Sequence, residues 1–318
     1  MFDNKLVISG SPHLHTYKSV KSQMWGVVIA LVPAFLCSLY FFGVGALIVM
    51  AASVVGCVAT EYLIQRYMLH VPTTISNGSA ILTGILLAFN LPSNLPIWII
   101  LIGAVVAIGI GKMAYGGLGQ NIFNPALVGR VFLLISFPTQ MTTWTMPGVN
   151  QFNYLDASTG ATILGQLKLH EIAYSDVNLM NLFTGYMGGS MGEVSAAALI
   201  LGLAYLLYRR IISWHIPVSI IGAVAIFSLC LGINPLIEIM SGGLLLGSIF
   251  MATDYVTSPM TRKGMIIYGV MIGVITMIIR QWGSYPEGMS FAILIMNGFT
   301  PLINVYVRPK HFGERRVH

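Results

Sequence analysis

Three stretches of this chain hold residue types that could do chemistry. The first is Asp156-Ala157-Ser158-Thr159-Gly160-Ala161-Thr162, a small-residue turn that closes on a hydroxyl. Gly160 and Ala161 clear the space around Thr162, which leaves its Oγ open as the acceptor of a covalent modification. The same residues suit a surface turn whose hydroxyls bond the local backbone. The second stretch is Gly116-Gly117-Leu118-Gly119-Gln120-Asn121-Ile122-Phe123-Asn124-Pro125-Ala126-Leu127-Val128-Gly129-Arg130. Its glycines let the backbone approach a bound ring or phosphate closely. Asn121 and Asn124 offer the donors and acceptors that the polar edge of an isoalloxazine needs. Asn followed by Pro is equally the start of a capped helix. The third stretch runs from Gly242 to Pro259, a small-residue segment suited to tight helix packing in lipid. It ends in Thr253, Asp254 and Thr257. Oxygens of this kind suit a hard cation such as sodium; an Asp that caps a turn is the alternative.

The elements that position these stretches are apolar. Of 318 residues, 56% are hydrophobic and only 8% charged, against about 25% charged in soluble domains, so the chain reads as an all-α integral membrane protein. The formal charge of +6 lies in short clusters between apolar runs. That is the pattern of orientation signals and not of a nucleic-acid surface. Apolar segments fill 24–42, 44–64, 78–91, 95–111, 124–138, 192–208, 216–232, 236–251, 264–280 and 288–306, which makes ten expected spans. With both termini cytoplasmic, 13 of the 16 Lys and Arg residues fall inside, and Lys168, Arg280 and the intramembrane Arg130 are the exceptions. The polar interval 138–191 is then external. The chain divides into a first five-helix set with its tail (1–137), the external loop (138–191) and a second five-helix set with its tail (192–318).

Five spans per set is an odd number, so the second set enters the membrane in the opposite sense. Gly78, Leu82, Ile85 and Ala88 recur 164 residues on as Gly242, Leu246, Ile249 and Ala252. Glu61, Glu193 and Glu238 lie near span ends, from which a carboxylate can reach the interface. Cys37, Cys57 and Cys230 are too few for the four thiolates of a typical iron–sulfur cluster. The histidines show no metal-ligand spacing. With neither a Walker motif nor a GxGxxG fingerprint in the sequence, no direct NAD or ATP binding is expected.

The heptapeptide ending at Thr162 resembles the flavinylation motif D-x-x-[ST]-G-A-[ST]. Residues 116–130 resemble a GGxGxNxxNPAxxGR signature, and residues 242–259 resemble GGxxxGxxFMATDxxTSP. In this order the three are similar to the D-type membrane component of the Rnf ion-translocating oxidoreductase, whose longer relative is the B-type component of the sodium-translocating NADH:quinone oxidoreductase. The resemblance implies a urea-transporter-like fold of two inverted five-helix repeats in a bacterial or archaeal cytoplasmic (inner) membrane. It also implies FMN, attached to Thr162 by a transferase as a phosphoester and surrounded by Ser158, Thr159, Gly160 and Ala161. A second, non-covalent flavin such as riboflavin is expected near Asn121 and Asn124, with an ion path at Asp254, Thr253 and Thr257. The chain is then a subunit that relays electrons between flavin- and iron–sulfur-bearing partners, coupled to Na⁺ or H⁺ translocation. The same helices without redox chemistry would make a channel or carrier for a small solute.

Overall fold

The structure is a computed structural model that describes residues 19–148, 159–193 and 195–308. A bilayer core offers no water to satisfy N–H and C=O groups, so a chain this apolar closes its backbone bonds within helices. α1 (Val20–Phe42) begins at Ser19, whose hydroxyl accepts from Ser22 N, and turns at Gly43, φ 60°, into α2 (Val44–Leu63). A wider turn, Ile64–Met68, prolongs α2. α3 (Ser79–Phe89), α4 (Ile97–Val105, continued to Tyr115) and α5 (Pro125–Ser136) follow.

The polar interval holds α6 (Pro138–Thr142), β1 (Trp144–Thr145), β2 (Thr159–Gly160), α7 (Ile163–Lys168) and α8 (Leu179–Thr184). Leu167, Leu182 and Met187 pack there against Ile237 as an apolar cluster of their own. The rest comprises α9 (Ala196–Tyr208), α10 (His215–Cys230), α11 (Pro235–Met240), α12 (Leu244–Leu246, prolonged by a wider turn to Met251), α13 (Arg262–Trp282) and α14 (Met289–Tyr306).

Every apolar segment expected as a span is helical. Among the described residues five helices are long and apolar enough to cross a bilayer, namely Val20–Phe42, Val44–Met68, Ile97–Tyr115, Arg262–Trp282 and Met289–Tyr306. Segment 236–251, whose shortness and glycines allow either a broken helix or imprecise limits, is broken between α11 and α12, where Gly242 takes a φ of 62°. α3 also follows a left-handed glycine, Gly78 at φ 79°. At 1.5 Å per residue, α3 and the α12 segment span only about 16 and 12 Å, well short of the ~30 Å core. Their C-terminal ends meet, with Asn90 Nδ2 3.7 Å from Met251 Sδ.

Packing follows the small residues. α1 packs on α9, α2 on α3 and α4, α10 on α13, and α5 on α14. A Cβ at Gly84 of α3 would lie 2.7 Å from Val54 Cα on α2, and one at Gly202 of α9 would lie 2.6 Å from the Ala30 carbonyl on α1. Backbones approach this closely in lipid because dispersion and not water exclusion joins the helices. Leu36, Leu47, Val55 and Ile226 face outward, as lipid contact requires.

Candidate functional site

Thr162 is placed by the hairpin before it and the helix after it. β1 pairs antiparallel with β2, Trp144 opposite Gly160 and Thr145 opposite Thr159. Thr145 is tied to the α3–α4 connection through a 2.7 Å bond between its hydroxyl and that of Ser93. Met146 fills the space over two glycines, its Sδ 3.0 Å from a Cβ built on Gly160 and 2.8 Å from one on Gly188. Thr162 is the N-cap of α7, with Oγ1 accepting from Gly165 N at 3.1 Å. The expectation of an open hydroxyl is corrected here. Thr162 is only 6% exposed, because the turn is folded down onto Gly188 and Gly189. Ala161 is exposed, and Asp156 and Ser158 lie outside the described residues, as does the side chain of Thr159.

Beneath Thr162 is a narrow cavity lined also by Gly188, Gly189, Glu193, Ser241, Gly242 and Glu287. Arg130 reaches it from α5. Its Nη2 donates to Glu287 Oε2 at 2.5 Å and lies 3.8 Å from Glu193 Oε1, while Nη1 donates to Asn90 Oδ1 at 3.0 Å and to Ser290 Oγ. On the far side of Gly242, Arg280 is paired with Glu238 at 2.8 Å and donates to the Ser241 carbonyl at 3.0 Å. Glu61 has a similar partner at the start of α3. Lys112 Nζ donates to its Oε2 at 2.6 Å and to Ser79 Oγ at 2.8 Å. The acids expected to reach the interface are therefore buried, Glu61 at 0%, Glu238 at 1% and Glu193 at 3% exposure. Desolvation of a carboxylate is tolerable beside a cation, and Glu61 and Glu238 have each drawn one in, whereas Glu193 shares Arg130 with Glu287.

A second cavity opens at the other end of α5, lined among others by Lys112, Asn121, Asn124, Thr253, Asp254 and Tyr255, with apolar walls from α1, α3 and α9. The glycines of its rim are needed as glycines, since Gly116, Gly117 and Gly119 sit at φ 110°, 99° and 95°. Asn124 caps α5, Oδ1 accepting from Ala126 N, while its Nδ2 donates to the Met251 carbonyl at 3.1 Å. Both of its polar atoms are engaged, so the capping reading describes it. Asn121 donates to the Phe123 carbonyl at 3.1 Å, is hydrogen-bonded to Asp254 and lines the cavity. Thr257 Oγ1 donates to Asp254 Oδ2 at 3.3 Å, whereas the Thr253 hydroxyl turns back to the Ile249 carbonyl at 2.6 Å. Of the three residues expected on an ion path, only Asp254 and Thr257 join hydroxyl to carboxylate.

Sequence reasoning singled out Arg130 and the acids Glu61, Glu193 and Glu238 without their partners, and passed over Glu287 and Ser190. The usable signal was the scarcity of charge itself, since an ionisable side chain within an apolar chain needs a partner. Among the described residues no group of three or more His, Cys, Asp or Glu side chains is arranged to hold a metal ion. The residues present fit a tethered flavin at its point of attachment. The Thr162 oxygen accepts from Gly165 N through a lone pair, which leaves the hydroxyl proton as the one a phosphoester replaces.

A family profile described as the NQR2, RnfD, RnfE family matches residues 7–313. The chain is 46% identical to the D component of the Na(+)-translocating ferredoxin:NAD(+) oxidoreductase complex of Acetobacterium woodii, over 100% of this chain and 98% of the relative. It is 43% identical to the D component of the proton-translocating ferredoxin:NAD(+) oxidoreductase complex of Clostridium ljungdahlii, over 98% of both. It is 40% identical to the D component of the ion-translocating oxidoreductase complex of Stutzerimonas stutzeri, over 93% of both.

Proposed function

The chain belongs to the NQR2, RnfD, RnfE family, and from that membership we propose that it is the flavin-bearing electron relay of an ion-translocating ferredoxin:NAD⁺ oxidoreductase. It is a membrane subunit of such a complex and not a complete enzyme. The other subunits are its partners. The observation that carries the relay reading is convergence. Thr162 of the first motif and Gly242 of the third line one cavity, and Arg130 of the second is bonded to Glu287 in its wall. Asn121 and Asn124 of the second motif and Thr253 and Asp254 of the third line the other.

In this reading Thr162 holds FMN as a phosphoester installed by a transferase, and the bound ring supplies one- and two-electron transfer. The chain's own part is to fix the attachment point through the α7 cap and the β1–β2 pairing. The cavity at the far end of α5 would take a second flavin such as riboflavin, with Asn121 facing its polar edge and Asp254 and Thr257 beside it on an ion path. NAD and ferredoxin are left to partner subunits.

Two inverted five-helix repeats account for the packing. The first helices of the two sets touch (α1 on α9), as do the fifth (α5 on α14), and within each set the second packs on the fourth (α2 on α4, α10 on α13). Each half-length helix follows a left-handed glycine and has a buried acid–cation pair at its start, Glu61–Lys112 and Glu238–Arg280. Reduction of the flavin is read as biasing these repeats between two states of different ion affinity.

The test is a denaturing gel of protein made beside an active flavin transferase. The wild-type band is expected to fluoresce and the Thr162→Ala band to be dark, and proteoliposomes of the Thr162→Ala complex should lose ion uptake. A colourless wild-type chain, or unchanged uptake in the variant, overturns the relay and favours a solute carrier.

A further inference from the structure

The cavity under Thr162 contains more negative charge than its arginine can balance. Glu193 and Glu287 both reach Arg130, but only Glu287 is within hydrogen-bond length of it. The charges acting on Glu193 are those of Glu287 and Arg130. Nearby cations have other partners, Arg280 with Glu238 and Lys168 with the carbonyls of Gly283 and Tyr285. Tyr174, the remaining titratable neighbour of that network, donates to Glu238. One carboxylate in the pair is therefore uncompensated, and burial of a lone charge costs several kcal/mol.

Among the described residues two buried carboxylate oxygens here lack hydrogen-bond partners, Glu193 Oε1 and Glu287 Oε1, and the Ser190 hydroxyl has only Glu193 beside it. The Glu193 side chain is 2% exposed and that of Glu287 9%. Ser190 is 0% exposed and belongs to the turn whose carbonyl accepts from Glu193 N. Gly243 has to be small here, since a Cβ would lie 2.8 Å from Glu193 Oε1. Unfilled oxygens beside an excess negative charge are the chemistry of a monovalent cation site. We propose that Glu193, Glu287 and Ser190 form, directly beneath Thr162, a binding site for one positive charge, a sodium ion or a proton. A phosphoester on Thr162 adds a further negative charge along the same cavity and tightens the hold on that cation. The site rests on protein atoms alone; its part in coupling rests on the relay reading above.

Purified complex is treated with dicyclohexylcarbodiimide, which modifies protonated buried carboxyls, and the adducts are mapped by mass spectrometry. If the occupant is sodium, labelling of Glu193 or Glu287 falls several-fold when sodium chloride replaces choline chloride at constant pH. If it is a proton, labelling falls several-fold as pH rises and sodium has no effect. Glu193→Gln removes the excess charge and leaves the Arg130–Glu287 pair balanced, so it should fold and abolish either response; Ser190→Ala should weaken the sodium response. Labelling of neither carboxyl under any condition, or labelling indifferent to both sodium and pH, overturns the site. Flavin fluorescence on the same samples separates the two readings, because a dark band with intact sodium or pH response sinks the relay and not the cation site.

Discussion

At the scale of single residues, the two asparagines of the second motif have different duties despite lying three positions apart. Asn124 is fastened at both ends, to Ala126 N and to the Met251 carbonyl, whereas Asn121 bonds the nearby Phe123 carbonyl and Asp254 in the cavity wall. Removing a cap costs about 1 kcal/mol, and leaving a buried carbonyl unsatisfied adds about 1–3 kcal/mol. Asn124→Ala should therefore lower thermal stability even in protein from a host without flavin transferase, and Asn121→Ala should lower it much less. Equal losses in a thermal unfolding series in detergent would contradict this division. The sequence made the cap legible, because Asn-Pro before an apolar run has one favoured local geometry. It could not show that the other end of Asn124 reaches a carbonyl 127 positions away, since nothing local encodes that contact.

At the scale of elements, the half-length helices depend on the ion pairs at their starts. Lys112 and Glu61 are 3% and 0% exposed as side chains, and Arg280 and Glu238 are 2% and 1%. Breaking a buried pair by removing one member costs about 3–5 kcal/mol, while replacing both by neutral residues is close to neutral. Lys112→Met should thus destabilise strongly, and Lys112→Met with Glu61→Gln should recover most of the loss. Arg280→Met and Glu238→Gln should behave in parallel if the repeats are equivalent. The measurement is a double-mutant cycle by thermal unfolding, and additive effects within a pair would rule the coupling out. Hydropathy located the apolar helices, five of them among the described residues long enough to cross a bilayer, because burial in lipid selects composition over long windows. It misplaced the acids because a window average reports depth along one helix and not which neighbouring helix supplies the counter-charge. The shortness and glycines of 236–251 pointed equally to a broken helix and to imprecise limits, since one left-handed glycine barely alters an apolar average.

At the scale of the whole molecule, the buried pairs also sharpen the orientation argument. Lys112 and Arg280 are held inside the protein by carboxylates, so neither is a free orientation signal. Among the described residues the exposed basic side chains near helix ends are Lys21, Arg66, Arg209, Arg210, Arg262, Lys263 and Arg308, all on the face expected to be cytoplasmic. On the opposite face Lys168 is engaged with the carbonyls of Gly283 and Tyr285. The orientation proposed for the chain puts the polar body between α5 and α9, with Thr162 at its base, outside. In a chain with Cys37, Cys57 and Cys230 replaced by Ala, Glu171→Cys and Lys263→Cys offer exposed reporters on the two faces. A membrane-impermeant maleimide should label Glu171→Cys on intact cells and Lys263→Cys only after lysis. The reverse pattern would put Thr162 and the cation site beneath it on the cytoplasmic face, and with them the direction in which a cation released from Glu193 and Glu287 leaves the protein.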